Sequence, residues 1–205
     1  MSNITTQPML SASAVTGLIL AGGRGVRMGS VDKGLQPLRG KALVQHAIDR
    51  LQPQVGQMMI NANQNLPLYQ AFGQPVVADS TADFAGPLAG IQAGLQHCST
   101  PYLVTVPCDS PFFPLDLVAR LAAGLLQADA DIAYAMTGSL DHPERQPVFA
   151  LLKTSLLPEL NRFLQQDGHK MMAWFSSCKP VGVLFADAQA FDNINTLEQL
   201  HDLEH

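Results

Sequence analysis

The residues best suited to chemistry lie in a glycine-rich segment that follows an apolar run at residues 15–20. This segment, residues 21–34, combines several glycines with Arg27 and Lys33. Glycine lets the backbone turn tightly and brings its N–H groups close to a ligand. With a guanidinium and an ammonium group beside them, such N–H groups form a cradle for phosphate oxygens. The segment therefore predicts a polyphosphate site that includes Arg27 and Lys33; the alternative is a surface turn whose basic side chains are only solvated.

The segment fits neither of two common phosphate-binding templates. In the dinucleotide fingerprint G-x-G-x-x-G, read from Gly23, the third glycine position holds Met28. A P-loop read from Gly34 has one residue too many before the next glycine, and Ala42 replaces the required Ser or Thr. The predicted phosphate cradle is therefore neither a dinucleotide fingerprint nor a P-loop.

Polar side chains follow three further predicted strands. Asn61 comes directly after one apolar run, Asp79 after the next, and Asp109 two residues beyond a third that ends near Val106. In an open parallel sheet, ligands bind beyond the carboxyl ends of the strands. We therefore expect these side chains to share one cleft with the glycine-rich segment.

Asp109 is the predicted metal ligand, because a carboxylate beside a triphosphate cradle can hold Mg²⁺. The alternative is a turn aspartate before Pro111. Three roles are open for Asp79: a second metal ligand, a ribose contact or a residue of an Asx turn. Asn61 suits recognition of a base or sugar edge, and it is equally at home in a turn.

Strand and helix patterns alternate along the chain, which predicts an α/β fold. We expect three layers: a mainly parallel sheet with helices on both faces, in a Rossmann-like arrangement. Residues 1–14 are polar and aperiodic and predict a flexible tail; residues 15–205 predict a single domain. The predicted strands are 15–20, 58–60, 75–78, 102–106, 132–136, 148–152 and 181–185. The predicted helices are 41–52, 66–72, 87–95, 115–127, 155–165, 170–175 and 196–203.

Composition narrows the class of protein. Of 205 residues 47% are hydrophobic, so a sizeable core can form. The net charge of -5 and the lack of a basic cluster argue against nucleic-acid binding. Three dispersed cysteines predict neither a disulfide framework nor a zinc site. With no secretory pattern and no apolar stretch of bilayer length, we expect a cytoplasmic protein without membrane contact.

The chain resembles the molybdenum cofactor guanylyltransferases. The resemblance begins with Leu20-Ala21-Gly22-Gly23, Arg27-Met28-Gly29 and Asp32-Lys33. It continues, in the order that family shows, through five more segments. These are Asn61-Ala62-Asn63, Asp79-Ser80, Gly86-Pro87-Leu88-Ala89-Gly90, Pro107-Cys108-Asp109-Ser110-Pro111 and Asn193-Ile194-Asn195-Thr196.

The resemblance implies an enzyme that transfers GMP from GTP to the terminal phosphate of molybdopterin and releases pyrophosphate. It implies Mg²⁺ on Asp109, with Arg27 and Lys33 as catalytic cations. It also implies passage of the product to molybdoenzyme-maturation proteins. The implied GTP contacts are Leu20, Ala21, Gly22, Lys33, Asn61, Asp79 and Asp109.

Two features of the resemblance bear on specificity. The pair Gly22-Gly23 is similar to the guanylyl members, whereas cytidylyl relatives tend to show L-A-A-G. Residues 141–146 keep the Glu-Arg of similar enzymes and otherwise diverge; Asn193 and Asn195 are candidates for pterin contacts. The alternatives are a cytidylyltransferase acting on molybdopterin or another phosphorylated acceptor, and a GTP-binding module without turnover.

Overall fold

The computed structural model describes residues 10–22, 32–80, 86–139 and 141–204. Seven strands form one sheet, and two short strands form a separate hairpin. The strands in chain order are β1 (Val15–Leu20), β2 (Pro37–Leu38), β3 (Lys41–Ala42), β4 (Gln57–Asn61), β5 (Val76–Val77), β6 (Tyr102–Pro107), β7 (Ile132–Gly138), β8 (Pro143–Lys153) and β9 (Pro180–Leu184).

The large sheet has the order β5-β4-β1-β6-β8-β7-β9, with β1 near its centre. Strands β5, β4, β1 and β6 pair in parallel, as do β7 and β9. Only β8 runs antiparallel to its neighbours, β6 and β7. The mainly parallel sheet predicted from the sequence is therefore confirmed.

In the parts of the chain that the structure describes, seven α-helices connect or follow these strands. They are α1 (Leu43–Leu51), α2 (Leu66–Gln70), α3 (Pro87–His97), α4 (Leu117–Gln127), α5 (Leu157–Gln165), α6 (Met171–Ser177) and α7 (Leu197–Glu204). Proline opens α3 at the first helical position, where its fixed φ suits the helix and its missing N–H costs nothing. Among the described residues, no helix is both long and apolar enough to cross a bilayer.

The core divides into two layers because successive strand residues face opposite sides of the sheet. On β1, Val15 and Ile19 join the layer that contains α1 and α4. Leu18 joins the opposite layer, formed by α3, α5 and α6. Helices thus cover both faces, and the three-layer architecture is confirmed.

A smaller cluster ties the end of the chain to the β2–β3 hairpin. Leu38 and Leu43 pack there against Ile194 and Leu200, and all four are buried. Arg39 adds hydrogen bonds from its guanidinium to the carbonyl of Leu203, at 2.9 and 3.1 Å. The segment after β9 therefore returns across the fold to the region that follows Lys33.

The main departure from the predicted boundaries is β8. The sequence predicts a strand over 148–152, whereas β8 begins at Pro143 and pairs Glu144 with Thr137 and Arg145 with Met136. The residues added at its start, 143–147, are exposed or half-buried and lack the apolar signal of a buried strand. Within the predicted tail, Ala12–Ala14 form a 3-10 turn, while residues 1–9 lie outside the described residues, and a flexible tail stays a prediction.

Candidate nucleotide-binding site

Three parallel strands end side by side at the centre of the sheet. Leu20 at the end of β1 is in register with Asn61 on β4 and with Pro107 on β6. The hydrogen bonding continues beyond the strands: the N–H of Ala21 donates to the Asn61 carbonyl at 2.8 Å, and that of Cys108 donates to the Leu20 carbonyl at 3.1 Å. The backbone at Ala21 therefore emerges between the two loops that carry the predicted polar residues.

On the β4 side, two asparagines hold the carboxylate of Asp79. The amide of Asn61 donates to Asp79 Oδ1 and that of Asn63 donates to Oδ2, both at 2.8 Å. The backbone N–H of Asp79 returns a bond to Asn63 Oδ1 at 2.9 Å. Asn61 is buried and is further fixed by the carbonyl of Val77 at 3.2 Å. A carboxylate has about four lone-pair sites, so Asp79 keeps acceptor capacity for a ligand.

Two glycines make room for this cluster. A Cβ on Gly22 would lie 2.8 Å from Asn63 Nδ2 and 3.0 Å from Asn61 Oδ1. A Cβ on Gly90, in the first turn of α3, would collide with Asn61 Oδ1 and lie 2.7 Å from Leu20 Cδ2. Both positions require glycine if the Asn61 amide is to stay where it is.

On the β6 side, Lys33 lies between two oxygen acceptors. Its ammonium donates to Asn195 Oδ1 at 2.7 Å and to Asp109 Oδ2 at 3.2 Å. The Lys33 and Asp109 side chains are 21% and 18% exposed, so the pair is partly shielded yet open to a ligand. An ammonium group beside a carboxylate at the mouth of a parallel sheet suits a phosphate–metal complex.

The segment after β9 fixes the loop that carries Asp109. The N–H of Ile194 donates to the Asp109 carbonyl at 2.8 Å. The buried Ser110 hydroxyl donates to Asn193 Oδ1 at 2.5 Å. Together with the bond from Lys33 to Asn195, these contacts join three distant parts of the chain.

The carboxylate of Asp32, the residue before Lys33, accepts a hydrogen bond on each of its two oxygens. Tyr69 on α2 donates its hydroxyl to Asp32 Oδ1 at 2.5 Å, and Asn65 Nδ2 donates to Asp32 Oδ2 at 3.0 Å. Burial, and after it the neighbouring Cys108 and Asp32 groups, raise the pKa of Tyr69. The phenol is therefore protonated at neutral pH and acts as a hydrogen-bond donor.

The residues present are compatible with a divalent metal only when a ligand supplies further oxygens. Within the described parts of the chain, no group of three or more His, Cys, Asp or Glu side chains is arranged to hold an ion. Mg²⁺ is commonly bound by one or two carboxylates plus substrate phosphates. Asp109 fits that arrangement. Cys108 beside it does not offer a thiolate, because burial raises the pKa of its thiol.

The predicted site residues form two groups in the structure. Leu20, Ala21, Gly22, Asn61 and Asp79 lie on the β4 side, and Lys33 and Asp109 on the β6 side. Arg27 and Gly23 lie outside the described residues. Sequence reasoning missed Asn63 as the second holder of Asp79 and Tyr69 as the holder of Asp32; only the N-x-N spacing at 61–63 hinted at the first.

Comparison with known proteins shows the family to which the chain belongs. Residues 17–181 match the MobA-like NTP transferase domain. A molybdenum cofactor guanylyltransferase from Ralstonia nicotianae is 55% identical over 200 residues, 95% of this chain and 98% of that protein. One from Bordetella petrii is 56% identical over 195 residues, 95% of this chain and all of that protein.

The solved structures agree on the fold. The molybdopterin-guanine dinucleotide biosynthesis protein A from Archaeoglobus fulgidus superposes with a TM-score of 0.74 at 24% identity, covering 92% of this chain and 96% of that one. Fold and relatives together define a nucleotidyltransferase, a class of enzyme that generally uses a divalent metal. Within that class, the chain belongs to the molybdenum cofactor guanylyltransferase family. The prediction of an enzyme of this family is confirmed.

Proposed function

We propose that the protein transfers GMP from GTP to the terminal phosphate of molybdopterin, forming a guanine dinucleotide cofactor and pyrophosphate. The observation that carries this proposal is the division of the site into two halves at the same sheet edge. One half presents amide and carboxylate groups to a base. The other presents an ammonium and a carboxylate to a triphosphate.

The base half favours guanine. The guanine edge carries N–H donors, and Asp79 offers a carboxylate whose position is fixed by Asn61 and Asn63. Glycine at position 22 keeps both amides in place, since a side chain there would push against them. A cytosine would present fewer donors to the same carboxylate.

The reaction needs no nucleophile from the chain. An oxygen of the acceptor phosphate forms a bond to the α-phosphorus, and the bond from that phosphorus to the bridging β-phosphate oxygen breaks. Lys33 stabilises the negative charge that grows on the transferred and leaving phosphates. Arg27 is proposed as a second cation at the same place, and the site orients acceptor and GTP for in-line attack.

Mg²⁺ is the proposed metal, with Asp109 as its protein ligand. When bound, it would neutralise phosphate charge at the α-phosphate and the leaving group. Asp109 is positioned for this by its backbone bond to Ile194 and by its ion pair with Lys33. The remaining ligands would come from phosphate oxygens and water.

GTP should bind at least about tenfold more tightly than CTP, a difference of about 1.4 kcal/mol. The reason is the pairing of guanine donors with the Asp79 carboxylate. Titration calorimetry with GTP, ATP and CTP in Mg²⁺ measures it, and turnover with molybdopterin and each nucleotide is the companion assay. Equal or tighter CTP binding would favour the cytidylyl alternative.

Replacing Gly90 with alanine should weaken GTP binding by about tenfold. The added methyl group collides with Asn61 Oδ1 and must displace the amide that holds Asp79. Gly94→Ala is the matched control on the same helix, because the atoms nearest to its methyl group belong to the side chains of Leu18 and Leu103. Gly94→Ala should lower the melting temperature without changing GTP affinity; equal affinities for both variants would argue against a base site at Asn61.

Three wider proposals accompany this function. We propose a cytoplasmic location, supported by three cysteines that are all unpaired, as expected under reducing conditions. We also propose that residues 15–205 act as one domain and pass the product to molybdoenzyme-maturation proteins. The single sheet shared by both core layers supports the proposal of one domain.

A further inference from the structure

Tyr69 lies beside the phosphate half of the site, which is the part that carries Lys33 and Asp109. It is fully buried on α2, and its hydroxyl donates to the Asp32 carboxylate. Asp32 in turn opens the short 3-10 turn Lys33–Leu35, with its carbonyl accepting from the N–H of Leu35 at 3.3 Å. The tyrosine therefore holds the residue from which the turn carrying Lys33 begins.

The same hydroxyl and the side chain of Cys108, in the loop of Asp109, both lie beside Gly34. A Cβ on Gly34 would collide with the Tyr69 hydroxyl and lie 3.2 Å from Cys108 Sγ. Gly34 follows Lys33, and Cys108 precedes Asp109. The backbone of Gly34, next to Lys33, is therefore packed closely against the Tyr69 phenol and the Cys108 thiol, which neighbours Asp109.

We propose that Tyr69 is a positioning residue for Lys33, acting through Asp32, and that it sets the distance between Lys33 and the Asp109 loop. This inference rests on the proposed function, since Lys33 must act on phosphate for its position to matter. Asn65 supports the same carboxylate from the other oxygen. The bonds from Asn65 and Tyr69 to Asp32 make α2 part of the phosphate half.

The contact with Asp32 requires a hydrogen-bond donor at position 69. A phenylalanine at position 69 would fill the same core space but leave Asp32 Oδ1 without its phenol donor. Because the carboxylate is partly buried, it would turn toward water and draw the start of the Lys33 turn with it. The expected result is a Lys33 ammonium that is present but poorly placed.

Tyr69→Phe should lower kcat about tenfold, corresponding to about 1.4 kcal/mol of transition-state stabilisation. The dissociation constant for GTP should change less than kcat, because a misplaced cation loses most where charge develops. Tyr134→Phe is the matched control; its ring packs against Phe175 in the opposite core layer. It should leave kcat unchanged.

The decisive measurement repeats Tyr69→Phe in a Lys33→Ala background. If Tyr69 acts through Lys33, the second substitution should cause no further loss of kcat. A full additional tenfold loss there, or an unchanged kcat in the single variant, would overturn the positioning role. Absence of pyrophosphate release from the wild-type enzyme with GTP and molybdopterin would instead overturn the proposed function.

A second variant keeps the test open if Tyr69→Phe fails to fold. Asn65 is exposed and has a positive φ of 52°, so Asn65→Gly removes its side chain without backbone strain. It should lower kcat about threefold, a smaller loss in the same direction. That loss should also vanish in the Lys33→Ala background. A normal kcat in Asn65→Gly, or a loss that persists without Lys33, would count against the proposal.

Discussion

Asp109→Asn should reduce turnover by at least about a hundredfold while the protein remains folded. Asparagine keeps the shape of the side chain but removes the charge that a hard cation requires. It also removes the ion-pair partner of Lys33, which lies 3.2 Å away. The residual activity should require much more Mg²⁺ for saturation.

The measurement is turnover against Mg²⁺ concentration, with melting temperature recorded for both proteins. Asp129→Asn is the matched control, since Asp129 is an exposed aspartate that pairs with Lys179. That variant should follow the wild-type curve. Superimposable Mg²⁺ curves for wild type and Asp109→Asn would mean that the metal binds elsewhere.

Lys33→Ala should lower kcat by about a hundredfold or more and weaken GTP binding by a smaller factor. The ammonium stabilises charge that appears on the phosphates only during transfer, so its loss is felt mainly in the transition state. Lys33→Arg should recover little, because a planar guanidinium does not fit between Asp109 and Asn195 as a compact ammonium does.

Lys41→Ala provides the control for a lost positive charge nearby in sequence. Lys41 is exposed and pairs with Asp49 rather than with the site, so turnover should stay near the wild-type value. Steady-state kinetics of pyrophosphate release, together with calorimetric GTP affinities, separate the two effects. An unchanged kcat in Lys33→Ala would remove Lys33 from the catalytic set.

Much of the fold was predictable because buried strands appear in the sequence as short, nearly unbroken apolar runs. The apolar run at Val15–Leu20 is β1 as predicted. Asn61 ends β4 and Asp109 follows β6, and these two strands are the parallel neighbours of β1. The rule that such strand ends share an edge was enough to predict that the site gathers there. The antiparallel direction of β8 carries no comparable signal, because a buried strand reads the same in either direction.

The finer geometry of the site was beyond sequence reasoning for a different reason. Tyr69 meets Asp32 across 37 positions of the chain, and on a short helix its buried ring looks like an ordinary core residue. Asn195 was a candidate for pterin contact, yet its amide oxygen accepts from Lys33 across 162 positions. Such pairings depend on how loops pack, and no periodic pattern encodes them.

The return of the segment after β9 to the sheet edge has a consequence for protein synthesis. Lys33 is translated 162 positions before Asn195, which binds its ammonium, and Ile194, which holds the Asp109 loop, directly precedes Asn195. A growing chain can therefore assemble its central strands while the phosphate half still lacks these supports. The phosphate half is complete only after Ile194 and Leu200 have been translated and pack against Leu38 and Leu43.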